Sequence, residues 1–232
     1  MVSRFDADAA AAAALGETGD VQLASLTREE LRGVGDDPLL ADAADALWWD
    51  ALSEREQDLV LETAQRSLVA RNLLVGGDDG AVDVTDEVRL VLAARTAPDW
   101  VVVLGEPSAE RDFDEAPVQL ALMALPSPSG DPAAVLVSAR LEGIYLHRLV
   151  STPTSFEVAA DWLLRAAAVE GADVARTVEV LAPVGERLES ARGLVVGRGA
   201  ARRFSVVVDG VPGEPAPTDH DVLSRWLRDR VG

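Results

Sequence analysis

The feature that most constrains this chain is a change of apolar rhythm near residue 100. Before it, apolar residues recur at helical spacing; after it, they fall in short runs broken by Gly, Pro and Ser. Ser53-Glu54-Arg55-Glu56 has the capping-box pattern, in which a Ser hydroxyl and a Glu carboxylate satisfy each other's end of a new helix. It predicts a helix over 53–71 with Val60, Leu61, Ala64 and Leu68 as the buried stripe. Thr27-Arg28-Glu29-Glu30 predicts a shorter helix, stopped by Gly33 and Gly35. Residues 38–51 read as a helix opened by Pro38, with Leu39, Leu40, Ala43, Leu47 and Ala51 on one side. Leu73–Val75 and Ala81–Val84 flank a Gly/Asp turn and predict a hairpin, after which Thr85 caps a helix to Arg95.

Beyond residue 100 the runs Trp100–Leu104, Val118–Leu125, Ala134–Arg140 and Ile144–Val150 read as strands. Leu141-Glu142-Gly143 joins the last two tightly, so they should pair antiparallel. Thr154-Ser155-Phe156-Glu157 predicts a helix to about residue 170 with Phe156, Ala159, Ala160, Leu163 and Leu164 inward. Strands resume at Thr177–Leu181, Gly193–Gly197 and Phe204–Asp209. Pro212, Pro215 and Pro217 then suggest an extended linker before a last helix capped by Thr218 and Asp219. Helices, a strand meander, a helix and more strands make an α+β order rather than a regular alternation. The expected organisation is a poorly ordered amino end over 1–20 and a single α+β domain over 21–232.

The 232 residues are 48% hydrophobic, enough for a substantial core. There is no cysteine, which removes thiolate nucleophiles, iron–sulfur clusters and cysteine-based zinc sites. The 21 basic residues are all arginine, so Schiff-base and phosphate-loop lysines are absent too. The net charge of −19 repels phosphate backbones and anionic lipid, so neither nucleic acid nor membrane is an expected partner. No apolar run approaches the ~20 residues of a membrane helix. Asp6 and Asp8 stand where a secretory signal would be positive, so the expected location is the cytoplasm.

No pattern of catalytic residues is apparent, and no enzyme activity, metal or cofactor is expected. His147 and His220 lack partners at metal-ligand spacing, and no G-x-S-x-G elbow occurs. Asp78, Asp79, Asp83, Asp86 and Glu87 miss the calcium-loop template, and Gly193–Gly199 misses the dinucleotide fingerprint and reads as two strands around a Gly-rich turn. Arg198, Arg202 and Arg203 form the densest positive spot; they fit either an anion site or a basic edge that blocks strand pairing. Trp48 and Trp49 are adjacent on a helix and point about 100° apart, so one is expected in the core and the other half-covered or exposed; an exposed Trp would be a binding anchor, and packing against another helix of the same chain is the competing expectation.

The order of elements carries a resemblance. A capped helix runs into Ser67-Leu68-Val69-Ala70-Arg71-Asn72-Leu73-Leu74; a Gly/Asp turn, Ala81–Val84, the helix Asp86–Ala94, the strand Trp100–Leu104 and a meander follow. Over about residues 45–170 this resembles the EspG family of type VII (ESX) secretion chaperones. The resemblance implies an antiparallel central sheet, flanking helical bundles and pseudo-twofold character. It also implies a cytosolic chaperone or adaptor that binds a secreted helical-hairpin protein. The alternative is a winged-helix-like transcription regulator built on 53–95, although its acidic helix would meet phosphates badly. A chaperone surface needs an apolar patch with a polar rim. The meander 118–150 is the expected source, with Tyr145, His147 and Arg148 as exposed polar contacts and the Trp48–Trp49 helix as the second candidate; the alternative is that helices cover both faces of the sheet, which also requires apolar residues on both.

Overall fold

The computed structural model describes residues 5–35, 43–76, 82–106, 118–141, 143–165, 174–184, 187–198 and 201–231. The chain opens with α1 (Ala7–Leu15), capped by the Asp6 carboxylate, which accepts from the Ala9 amide at 3.1 Å. Ala7, Ala11 and Leu15 are buried, so this part of the amino end is a packed helix and not the poorly ordered segment the small-residue run suggested. A helix of alanines has little moment of its own, and it is tertiary burial that holds it.

The short strands β1 (Asp20–Gln22) and β2 (Leu26–Thr27) lead into α2 (Arg28–Gly33). The Thr27 capping box forms as expected: Glu30 Oε2 accepts from the Thr27 amide at 2.9 Å and Thr27 Oγ1 from the Glu30 amide at 3.1 Å. The Glu30 carboxylate also accepts from Ser67 Oγ at 2.7 Å and Arg71 Nη1 at 2.6 Å. Burial pushes its pKa up, but these hydrogen bonds outweigh that and hold it below the ordinary range. Ser67 and Arg71 belong to α4 (Glu54–Ala70) and its C-cap, which follows α3 (Ala43–Asp50). Gly33 lets α2 close on α4: an added Cβ would stand 3.0 Å from that of Ala64.

β3 (Leu74–Gly76) and β4 (Val82–Val84) pair as the expected hairpin, α5 (Asp86–Thr96) follows, and the chain enters the main sheet. Its strands are β5 (Val101–Gly105), β6 (Val118–Ala124), β7 (Ala134–Leu141) and β8 (Ile144–Ser151), then, after α6 (Thr152–Leu164), β9 (Val174–Val184), β10 (Arg187–Arg198) and β11 (Ala201–Val208). β12 (Val211–Pro212) and β13 (Ala216–Pro217) pair back onto β11, and α7 (His220–Val231) ends the described chain. The spatial order is β1-β8-β7-β6-β5-β9-β10-β11-β12, with antiparallel neighbours throughout. This is the α+β fold read from the rhythm change: a large antiparallel sheet with flanking helices.

Two local expectations are corrected and one strand is longer than expected. α6 starts at Thr152 with Ser151 as its cap and Pro153 in its first turn, so the Thr154–Glu157 box is not used. Gly193 and Gly197 lie inside β10, which contains the expected strand Gly193–Gly197 and starts earlier, at Arg187. Gly193 makes room for Phe204, whose Cζ would be 2.7 Å from an added Cβ. The proline segment is not a free linker. Asp209 and Gly210, both at positive φ, make a two-residue turn that returns β12 along β11.

Helices cover both faces of the sheet. On one face α1, α2, α4 and α5 pack over Val101, Met123, Leu136 and Leu149. On the other, α6 and α7 pack over Val102, Leu122, Val137, Val178 and Val180.

Candidate functional site

Cross-strand register builds the site. One row of paired residues runs Val180, Val102, Leu122, Val137 and Arg148 across β9, β5, β6, β7 and β8. The adjacent row on the same face runs Val178, Leu104, Leu120, Ala139 and Leu146. Both rows are buried over the middle of the sheet. They reach β8 in the half-buried Arg148 and in Leu146, which is 40% exposed. Ile144 at 41% and Leu141 at 59% extend the uncovered strip to the end of the β7–β8 hairpin. α6 stands over only part of these strands. Beside it lies an open groove of about 440 Å³, with Leu120, Val137, Ala139 and Leu146 on the sheet side and Val158 and Trp162 on α6. Gln22, Arg148, Asp161 and Arg165 supply its polar members.

The groove corrects the sequence reading of β8 by one residue. Side chains alternate along a strand, and the expectation placed Tyr145 and His147 outward. They point to the opposite, closed face: Tyr145 is 8% exposed and His147 0%. β1–β2 fixes this choice, since Leu23 donates its amide to the His147 carbonyl at 3.0 Å and Leu26 pairs with Tyr145. His147 Nδ1 donates to the Ala24 carbonyl at 2.9 Å, and its buried Nε2 has no hydrogen-bond partner among the described residues. Burial, aided by the charge of Arg95, lowers its pKa to about 4. His147 is therefore a neutral core residue. His147 borders the groove, but its ring is turned to the closed face; of the three β8 candidates Arg148 is the one whose side chain faces the groove, where it meets Asp20 at 3.4 Å.

Trp48 and Trp49 are both half-buried against another helix, so packing within the chain is met for the pair, while the expected core member is not found. Their rings lie 5.9 Å apart and take the two arginines of one α2 face, Arg28 over Trp48 at 3.9 Å and Arg32 over Trp49 at 5.2 Å. Leu47, expected inward, is 71% exposed. The Trp pair is remote from the groove in sequence and does not line it.

The basic spot on the β10–β11 hairpin divides. Arg202 donates from Nε to the Leu164 carbonyl at 3.1 Å, closing the end of α6, and Arg203 is exposed. The Arg198 side chain and the acidic run Asp78–Asp79 lie outside what is described. His220, with only sequence neighbours in view, in fact meets α6: its Nε2 is 3.1 Å from Glu157 and 3.6 Å from Asp161. No spacing rule could show this, because the two helices are brought together only by the core beneath them. Among the described residues no group of three His, Cys, Asp or Glu is arranged to hold a metal ion. No helix there is long and apolar enough to cross a membrane.

No protein-family profile matches the chain, and no curated protein matches it. Among solved structures the fold is similar to the type VII secretion chaperone EspG5 of Mycobacterium tuberculosis, determined in complex with a PE25–PPE41 dimer. The TM-score is 0.47 at 8% identity, covering 73% of this chain and 85% of that one. This is a loose likeness in architecture and does not place the chain in a family.

Proposed function

We propose that the chain is a non-enzymatic cytoplasmic binding protein, a chaperone or adaptor that captures a helical-hairpin protein of the kind exported by type VII systems. The observation that carries this reading is the uncovered strip Leu141–Ile144–Leu146 beside α6. On the same face Leu120, Leu122, Val135, Val137 and Val150 are buried, so this is an apolar surface at the margin of a packed face. It has a polar rim in Gln22, Arg148, Asp161 and Arg165. A helix laid beside α6 would bury the strip in the manner of an ordinary helix–sheet layer. The order of elements over residues 45–170 supports the same reading.

The test is capture of a helical partner by the intact protein and by Leu146→Asp. The expected result is a small helical protein that binds the former and not the latter, with both proteins melting alike. Capture that survives Leu146→Asp and Ile144→Asp together would overturn the docking surface. A turnover activity of the purified chain would overturn the function.

A further inference from the structure

The groove beside α6 is less acidic than the molecule as a whole: the charged side chains lining it are Arg148, Arg165 and Asp161. The chain carries −19 overall, yet two of the polar side chains lining the groove are arginines. Arg148 stands at the β8 side and Arg165 at the end of α6. Each has a single loose ion pair, Nε of Arg148 to Asp20 at 3.4 Å and Nη2 of Arg165 to Asp161 at 3.5 Å. Neither makes a hydrogen bond among the described residues. Other arginines of this protein spend their donors: Arg71 on Glu30 and the Ser25 carbonyl, Arg192 on Glu179, and Arg202 on backbone carbonyls. A guanidinium has five N–H donors in a planar fork suited to a carboxylate, so Arg148 and Arg165 keep most of that capacity free.

The shape of the groove complements this. Among the described residues, α1 and α5 lie against β6–β8 on the closed face, and α6 is the main cover on the other, with α7 seated mostly on β9. The vacant width beside α6 is floored by Leu146, Ala139 and Val137 and walled by Val158 and Trp162. Two helices on one sheet pack about 10 Å apart, which is the width one more helix fills.

We infer that the segment received here is an amphipathic helix carrying carboxylates beside its apolar stripe, and that Arg148 and Arg165 select for them. This rests on the docking reading above and adds the chemistry of the partner: although the whole molecule attracts basic proteins, the contact itself favours an acidic helix.

Two stapled peptides of about 15 residues would test it, sharing one leucine stripe at helical spacing and differing only in flanking Glu or Lys. Fluorescence polarisation with the full chain should show the Glu peptide binding at least about tenfold more tightly, with an affinity that falls as salt rises. The double variant Arg148→Glu, Arg165→Glu should reverse the preference while its melting temperature holds. Equal binding of both peptides, or a preference unmoved by the double variant, would overturn the inference; if Leu146→Asp still abolished that binding, the docking surface would stand. Failure of both peptides to bind at about 100 µM would overturn the inference and the docking reading together.

Discussion

The two faces of β6–β8 are built from the same three strands and have opposite outcomes. The closed face, under α1 and α5, contains polar groups: His147, Ser138 and, nearby, Arg95 and Tyr145, all less than a tenth exposed. The open face, beside α6, is more apolar where it meets solvent, with Leu141, Ile144 and Leu146 uncovered. Composition alone would assign the two the other way round. The difference teaches that burial in this sheet follows which elements arrive to cover a face. β1–β2 crosses the edge of the sheet and hydrogen-bonds the His147 carbonyl and ring, so the polar side of β8 becomes the inner one.

The strongest way to break this comparison is a charge on the closed face. His147→Glu and Tyr145→Glu place a carboxylate in the core, offset only in part by the neighbouring Arg95, and should each cost about 4 kcal/mol, enough to unfold much of the protein in a urea titration. Near-native stability for either would mean that this face opens to solvent.

A smaller effect comes from pH. The His147 pKa is depressed from 6.5 to about 4, so the unfolded chain takes up a proton before the folded one. The sign follows: this contribution is fully present above pH 6.5, falls as pH drops, and is lost by about pH 4. The loss at His147 should approach ~3 kcal/mol over that window. His147→Phe should remove this component, measured as the difference between the two proteins' denaturation free energies at pH 7 and pH 4.5.

The Glu30 carboxylate sharpens the account of how the closed face is held, since it ties α2 to α4. Glu30→Gln should cost about 2 kcal/mol, because the charge-assisted bond from Arg71 is weakened in a buried place. With its pKa held below the ordinary 4.5, the wild-type contribution is present above that pH and is lost as pH falls through the folded value. The difference between the two proteins' thermal melts should be full at pH 7 and shrink progressively as pH falls below 4.5. The smallest effect belongs to the open face: Leu146→Glu should change stability by less than about 0.5 kcal/mol, in contrast to its neighbour Tyr145→Glu one residue away.

By itself, the sequence determined the local pieces. The Thr27 and Ser53 capping boxes, the β3–β4 hairpin and the four strands of the meander are legible because each depends on groups within a few residues of one another. Val208-Asp209-Gly210-Val211 was equally legible as an Asp-Gly hairpin; the prolines that follow drew attention to a linker instead. What only the tertiary structure decided were relations across long separations. Trp48 and Trp49 both meet α2 because Arg28 and Arg32 present matching cations, which no helical wheel of residues 38–51 contains. The orientation of β8 was undecidable from its own residues. Ile144 to Ser151 has apolar and polar members on both sides, and a period of two permits either face inward. The choice was made by residues 20–27, more than a hundred positions earlier, whose backbone needed partners and found them on β8.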